Sequence, residues 1–94
     1  DPHPSPFDKA AMLLRGITQG HPFVDANKRT GFLVATFYLK RVGYVVRTDV
    51  SRQEVVSFCR RVSAGEIREL TTISTTLIAW TEPRRRALGA QQPS

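Results

Sequence analysis

The sequence predicts an all-α fold, a compact helical bundle around a buried central helix. Three observations carry that prediction: apolar stripes at helical spacing, capping signals ahead of two of them, and a nearly unbroken apolar run from Thr30 to Val42 that ends at Gly43. Its 94 residues suit one small domain, and 40% hydrophobic with 23% charged residues lies away from the composition of disordered chains.

Ser5-Pro6-Phe7-Asp8 sets a hydroxyl N-cap before a proline at the first helical position, with a carboxylate three residues after the cap. A helix follows over residues 6–19, with Phe7, Ala10, Ala11, Leu14 and Ile17 on one stripe and Gly20 and His21-Pro22 as its stop. Residues 21–30 read as a short polar loop. The run from Thr30 to Val42 is apolar almost all round, the pattern of a buried central helix.

Tyr44-Val45-Val46 is β-branched and too brief for more than an extended link, after which Asp49 and Ser51 supply turn and cap chemistry. Ser51 to Glu54 is a second capping box, and Val55, Phe58, Cys59 and Val62 form the stripe of the helix it opens, closed by Ala64-Gly65. Cys59 is core on that reading. A last helix from Thr71 or Thr72 to Trp80 aligns Ile73, Leu77 and Trp80 despite its threonines. The organisation is then a helical domain over residues 1–83 and a basic, disordered tail over 84–94, RRRALGAQQPS, with no internal repeat.

Charge and cysteine content exclude several classes of function. The net charge of +6 invites nucleic acid, but over residues 1–83 eleven Lys and Arg face eight Asp and Glu, and the other three cations are Arg84, Arg85 and Arg86. Scattered cations on solvent faces, without a helix-turn-helix pattern, a zinc finger or aromatic stacking sites, argue against a nucleic-acid binder. Cys59, His3 and His21 provide neither a disulfide framework nor zinc spacing. No apolar stretch nears the length of a membrane span and no signal core follows the N-terminus, which predicts a soluble, cytoplasmic protein. So small a domain leaves oligomerisation open.

His21-Pro22-Phe23-Val24-Asp25-Ala26-Asn27-Lys28-Arg29-Thr30 adjoins the start of the apolar helix. A helix N-terminus offers unpaired N–H groups and the positive end of the dipole, and Lys28 and Arg29 beside it make phosphate the natural guest. Asp25 suits Mg²⁺ held together with phosphates, and His21 is a base that titrates near neutrality. Plainer readings exist for each: His21 as a helix C-terminal residue, Asp25 or Asn27 as an N-cap, Lys28 and Arg29 as solvated cations. Cations at a helix N-terminus are nonetheless disfavoured unless an anion visits. Pro22 and Phe23 read as anchors that fix the loop on the core.

HPFVDANKRTG resembles the signature of the Fic/Doc family, and its D-A-N-K-R version is similar to the death-on-curing (Doc) toxin branch. Seven specified positions make a chance match about 10⁻⁹ per window. The resemblance implies a Fic/Doc-type helical bundle. It implies that His21 takes the proton of a target hydroxyl, that Asp25 holds the metal on the nucleotide phosphates, and that N–H groups around Ala26 to Arg29 form an anion nest. Asn27 would orient that nest and Arg29 would bind phosphate.

Adenylylating members have glycine where this chain has Lys28, and a further arginine where it has Phe32. The Doc branch, with lysine, implies a protein kinase that moves the γ-phosphoryl group of ATP, with Mg²⁺, to a hydroxyl of translation elongation factor Tu and so blocks translation. The alternatives are a Fic-type AMP or nucleotidyl transferase, and an inactive remnant that only binds an antitoxin. No Ser or Thr stands four residues before Glu54, Glu66, Glu69 or Glu82, so the self-inhibiting helix of some members is not present and inhibition is expected in trans, from a Phd-like antitoxin. The family's N-terminal helix and flap hairpin do not fit into the residues before Ser5, which implies that part of the N-terminal region is lacking.

Overall fold

A computed structural model describes residues 5–19 and 24–84, the side chains of 24–28 excepted. Helix α1 (Pro6–Gln19) begins as its caps dictate: the Asp8 amide donates to Ser5 Oγ at 3.1 Å and the Ser5 amide to Asp8 Oδ2 at 3.4 Å. It buries Ala10, Ala11, Leu14 and Thr18. Thr18 is a polar residue made tolerable there because its hydroxyl donates to the Leu14 carbonyl at 2.8 Å.

Helix α2 (Val24–Arg41) starts well before the apolar run, so the segment expected as a loop up to Thr30 is helical from Val24. Asp25 through Arg29 contain no helix breaker, and Ala, Lys and Arg are good helix formers, which extends the helix toward the signature's first residues. Gly31, Ala35 and Leu39 form its buried edge, at i, i+4 and i+8. Contact with α1 is very close at Gly31: a Cβ there would meet Thr18 Cγ2 at 2.7 Å and the Leu14 carbonyl oxygen at 3.3 Å. Gly43, at φ +107°, ends the helix in the left-handed region.

Burial of α2 is one-sided, which corrects the expectation of a buried central helix over Thr30 to Val42. Leu33 and Phe37 are each 63% exposed, and Val34 and Val42 are also exposed. The element touched by all three other helices is α1. Apolar residues all round a helix therefore did not imply cover all round, because the described neighbours pack only one flank.

Strand β1 (Tyr44–Val46) is more than the expected link. It pairs antiparallel with β2 (Thr81–Pro83), Val45 opposite Glu82, with the Arg47 amide donating to the Trp80 carbonyl at 2.8 Å and the Arg84 amide to that of Gly43 at 2.7 Å. The partner lies directly after the last helix, 35 residues further along, beyond the reach of local pattern.

Helix α3 (Arg52–Ser63) carries the predicted capping box, Glu54 amide to Ser51 Oγ at 3.0 Å and Ser51 amide to Glu54 Oε1 at 2.9 Å. It buries Cys59 and Val62 as expected. Helix α4 (Leu70–Trp80) begins at Leu70, ahead of the threonines, and buries Ile73, Ser74 and Leu77. Its Glu69 cap makes no side-chain bond, and Leu70 packs on the core instead. Two aromatic contacts close the assembly: Phe7 tilted on Tyr44 at 4.8 Å and Phe58 edge-on to Trp80 at 5.2 Å between ring centroids. Residues 85–94 of the expected tail lie outside the described residues.

Candidate functional site

Arg29 is six residues into α2, so its side chain leaves the helix on the same flank as Phe32 and Leu33 at i+3 and i+4. Across from them α3 presents Arg52, Val55, Val56 and Cys59, again i, i+3, i+4 and i+7 on one face. Between the two faces lies a cavity of about 520 Å³, apolar within and with Arg29 and Arg52 as its charged lining. That volume falls in the range of small-molecule sites, and an apolar chamber with a few cations suits a ligand that has a flat organic body and an anionic end.

Phe32 stands where the adenylylating proteins that the signature resembles are expected to have arginine. It is half-buried, its ring 6.3 Å from that of Trp80 in an edge-on contact, so it joins the cavity wall to the β2 end of α4. The wall is thus packed against α4 on the Phe32 side. Val56, by contrast, is 53% exposed.

Of the residues singled out from sequence, Asp25, Ala26, Asn27 and Lys28 stand on the first turns of α2, Arg29 one residue further on at the cavity. A helix N-terminus leaves the amides of its opening turn without intrahelical partners. His21, Pro22 and Phe23 lie outside the described residues. Among the described residues no group of three His, Cys, Asp or Glu could hold a metal ion by itself. A single carboxylate together with phosphate oxygens remains the chemistry by which Mg²⁺ is commonly held.

Sequence reading missed the contribution of α3. Its core stripe, Val55, Phe58, Cys59 and Val62, was legible, but the adjacent stripe through Arg52 and Val56 was not. The signal was present in Val56, an apolar residue outside the core stripe.

Two residues elsewhere have perturbed carboxyl groups. The Ser74 hydroxyl, donating to Asp8 Oδ1 at 2.8 Å, holds the Asp8 carboxyl below its ordinary value, helped by the Ser5 amide. The Arg47 guanidinium, in a two-pronged contact of 2.7 and 3.0 Å, does the same for Asp49.

Comparison with known proteins agrees with the resemblance to the Fic/Doc family and its Doc branch. Residues 1–39 match the Fic/DOC family. Over 49 residues the chain is 39% identical to Toxin Doc of Mycolicibacterium smegmatis, a stretch that covers 52% of this chain and 38% of that protein. The matched part of this chain thus spans under two fifths of that relative's length. The family match takes in α1, the HPFVDANKRTG segment and most of α2. No solved structure matches the chain. No helix among the described residues is long and apolar enough to cross a membrane.

Proposed function

We propose that this chain, Doc-like in its signature and in its α1–α2 segment, acts as a toxin that transfers the γ-phosphoryl group of ATP to a hydroxyl of a translation elongation factor, elongation factor Tu in the first instance. The observation that carries the reading is the position of the D-A-N-K-R residues on the opening turns of α2, with Arg29 turned into a cavity of nucleotide size. The residues fit the substrate class: helix-start amides and two cations for phosphates, and the walls formed by Phe32, Val55 and Val56 for a nucleoside.

In this reading Asp25 holds Mg²⁺, which supplies charge neutralisation on the phosphates when bound. Arg29 and Lys28 hold phosphate oxygens, with the Ala26 and Asn27 segment as the anion nest. His21 takes the proton of the target hydroxyl; the hydroxyl oxygen then forms the bond to the γ-phosphorus as the bond to the β–γ bridging oxygen breaks, and ADP leaves. Reactions of this kind depend mainly on positioning and charge neutralisation, the two things a helix start with cations offers.

Lys28 and Phe32 favour γ-transfer over AMP transfer, since a side chain at position 28 narrows the nest and Phe32 supplies no phosphate ligand. An antitoxin of the Phd kind, acting from a separate chain in the cytoplasm, completes the proposal. Incubation of elongation factor Tu with the chain, ATP and Mg²⁺ tests it by intact-mass spectrometry. A phosphate adduct is expected; an AMP adduct or an unmodified factor contradicts it.

A further inference from the structure

The two-stranded sheet has edges of unlike character. In the antiparallel register, Val45 and Glu82 face each other as the hydrogen-bonded pair, because the flanking ladder bonds run from Arg47 to Trp80 and from Arg84 to Gly43. The N–H and C=O groups of Tyr44 and Val46 therefore project from the opposite edge of β1. They have no hydrogen-bond partner among the described residues. On β2 the corresponding outer edge carries Pro83, which has no N–H to offer. Among the described residues, one edge is closed to pairing and the other is open.

The open edge borders the exposed flank of α2. Val45 and Val46 share a groove of about 310 Å³ with Leu33, Thr36, Phe37 and Lys40. Leu33 and Phe37 are the two most exposed large apolar side chains among the described residues. An apolar strip next to unpaired backbone groups is a template for an added strand, since main-chain bonds supply affinity and alternate side chains enter the groove. A helix laid in the same place would have no backbone groups to give.

Charge selects the occupant. Lys40 lines this groove, Arg29 and Arg52 line the cavity on the other side of Leu33, and among the described residues no carboxylate lines either. Arg47, next along β1, already holds Asp49. A second copy of the chain would bring Lys40 against like charge, whereas a segment that alternates apolar and acidic residues would seat its apolar side on Phe37 and Leu33 and meet Lys40 with a carboxylate.

We propose that the outer edge of β1 and the adjoining flank of α2 dock an extended, acidic-apolar segment of a partner protein by strand addition. The surface meets the cavity at Leu33, which lines both, and extends away from it: Asp25 and Lys40 are fifteen residues apart on one helix, about 22 Å along its axis. The segment pairs with Tyr44 and Val46 and leaves the Val45–Glu82 pair intact.

The probe is a synthetic hexapeptide of alternating valine and glutamate, followed by amide hydrogen exchange on the whole chain. Exchange at the Tyr44 and Val46 amides is expected to slow at least about tenfold, with binding that weakens as salt rises. Val46→Pro removes one outward N–H and Phe37→Asp alters an exposed side chain, so both variants keep the melting temperature and lose at least about tenfold in affinity. A valine–lysine peptide does not bind. Absence of protection at Tyr44 and Val46 at millimolar peptide overturns the proposal, as does unchanged affinity in both variants. Peptide bound as a helix without protecting those amides assigns the flank to a helical partner instead. A dimer of the free chain that Val46→Pro dissociates assigns it to a second copy; either result overturns strand addition.

Discussion

Arg29 and Gly31 are two residues apart on α2 and are constrained from opposite sides. Gly31 faces Thr18, whose methyl group sits 2.7 Å from where a Cβ would stand and whose hydroxyl is tied to the Leu14 carbonyl. Gly31→Ala gains about 1 kcal/mol of helix propensity but forces a clash that costs about 1 to 3 kcal/mol, and a net loss is expected in urea unfolding. Thr18→Ser, which removes the methyl and keeps the hydroxyl, should restore most of the loss in the double variant. At Lys28 the expected effect is on chemistry: Lys28→Gly slows γ-phosphoryl transfer and admits AMP transfer, read from the mass of the adduct on the target. The signature residues were legible in the sequence because their chemistry and spacing are local. Gly31 was not, since its reason for being glycine is a residue thirteen positions away on another helix.

At the scale of elements, α1 is tied to α4 through Asp8 and Ser74, joining a capping box to a buried hydroxyl 66 residues on. Because the Asp8 carboxyl is held below its ordinary value in the folded chain, the stability it contributes is present above about pH 4, the unfolded carboxylate value, and is lost as pH falls through the lower folded value. Asp8→Asn should flatten the decline of melting temperature on acidification in that range. An unchanged pH profile would assign the acid sensitivity to other carboxylates.

The α2–α3 cavity makes a second prediction at this scale. Val56→Asp, on a side chain 53% exposed, leaves the melting temperature in place and weakens ATP binding at least about tenfold, measured by calorimetry. Capping boxes and the stripes of α1 and α3 were readable because they depend on residues three and four apart. The β1–β2 pair and the cavity were not, because each joins segments that only the fold brings together. In α2 the pattern misled, since an apolar surface records what a helix offers and its neighbours decide what is covered.

Among the described residues, four helices held chiefly by α1 leave one flank of α2 open at its far end and a cationic cavity nearer its start. Asp25 to Arg29 of the proposed site and the flank that adjoins the proposed docking edge thus lie on the same long helix. Binding of ATP with Mg²⁺ to the folded chain alone should raise its melting temperature with nucleotide concentration. Among the described residues, Arg29 and Arg52 line the proposed nucleotide cavity and Lys40 the proposed docking groove.

The central claim is γ-phosphoryl transfer with His21 as the base, and it is tested most directly by label transfer to purified elongation factor Tu from ATP labelled at the α- or the γ-phosphate, with Mg²⁺, using this chain and its His21→Ala variant. The account predicts label from the γ-position alone, reduced about 10²- to 10⁴-fold in the variant while its melting temperature is kept. Label from the α-position, no label from either, or undiminished γ-label in His21→Ala would contradict it.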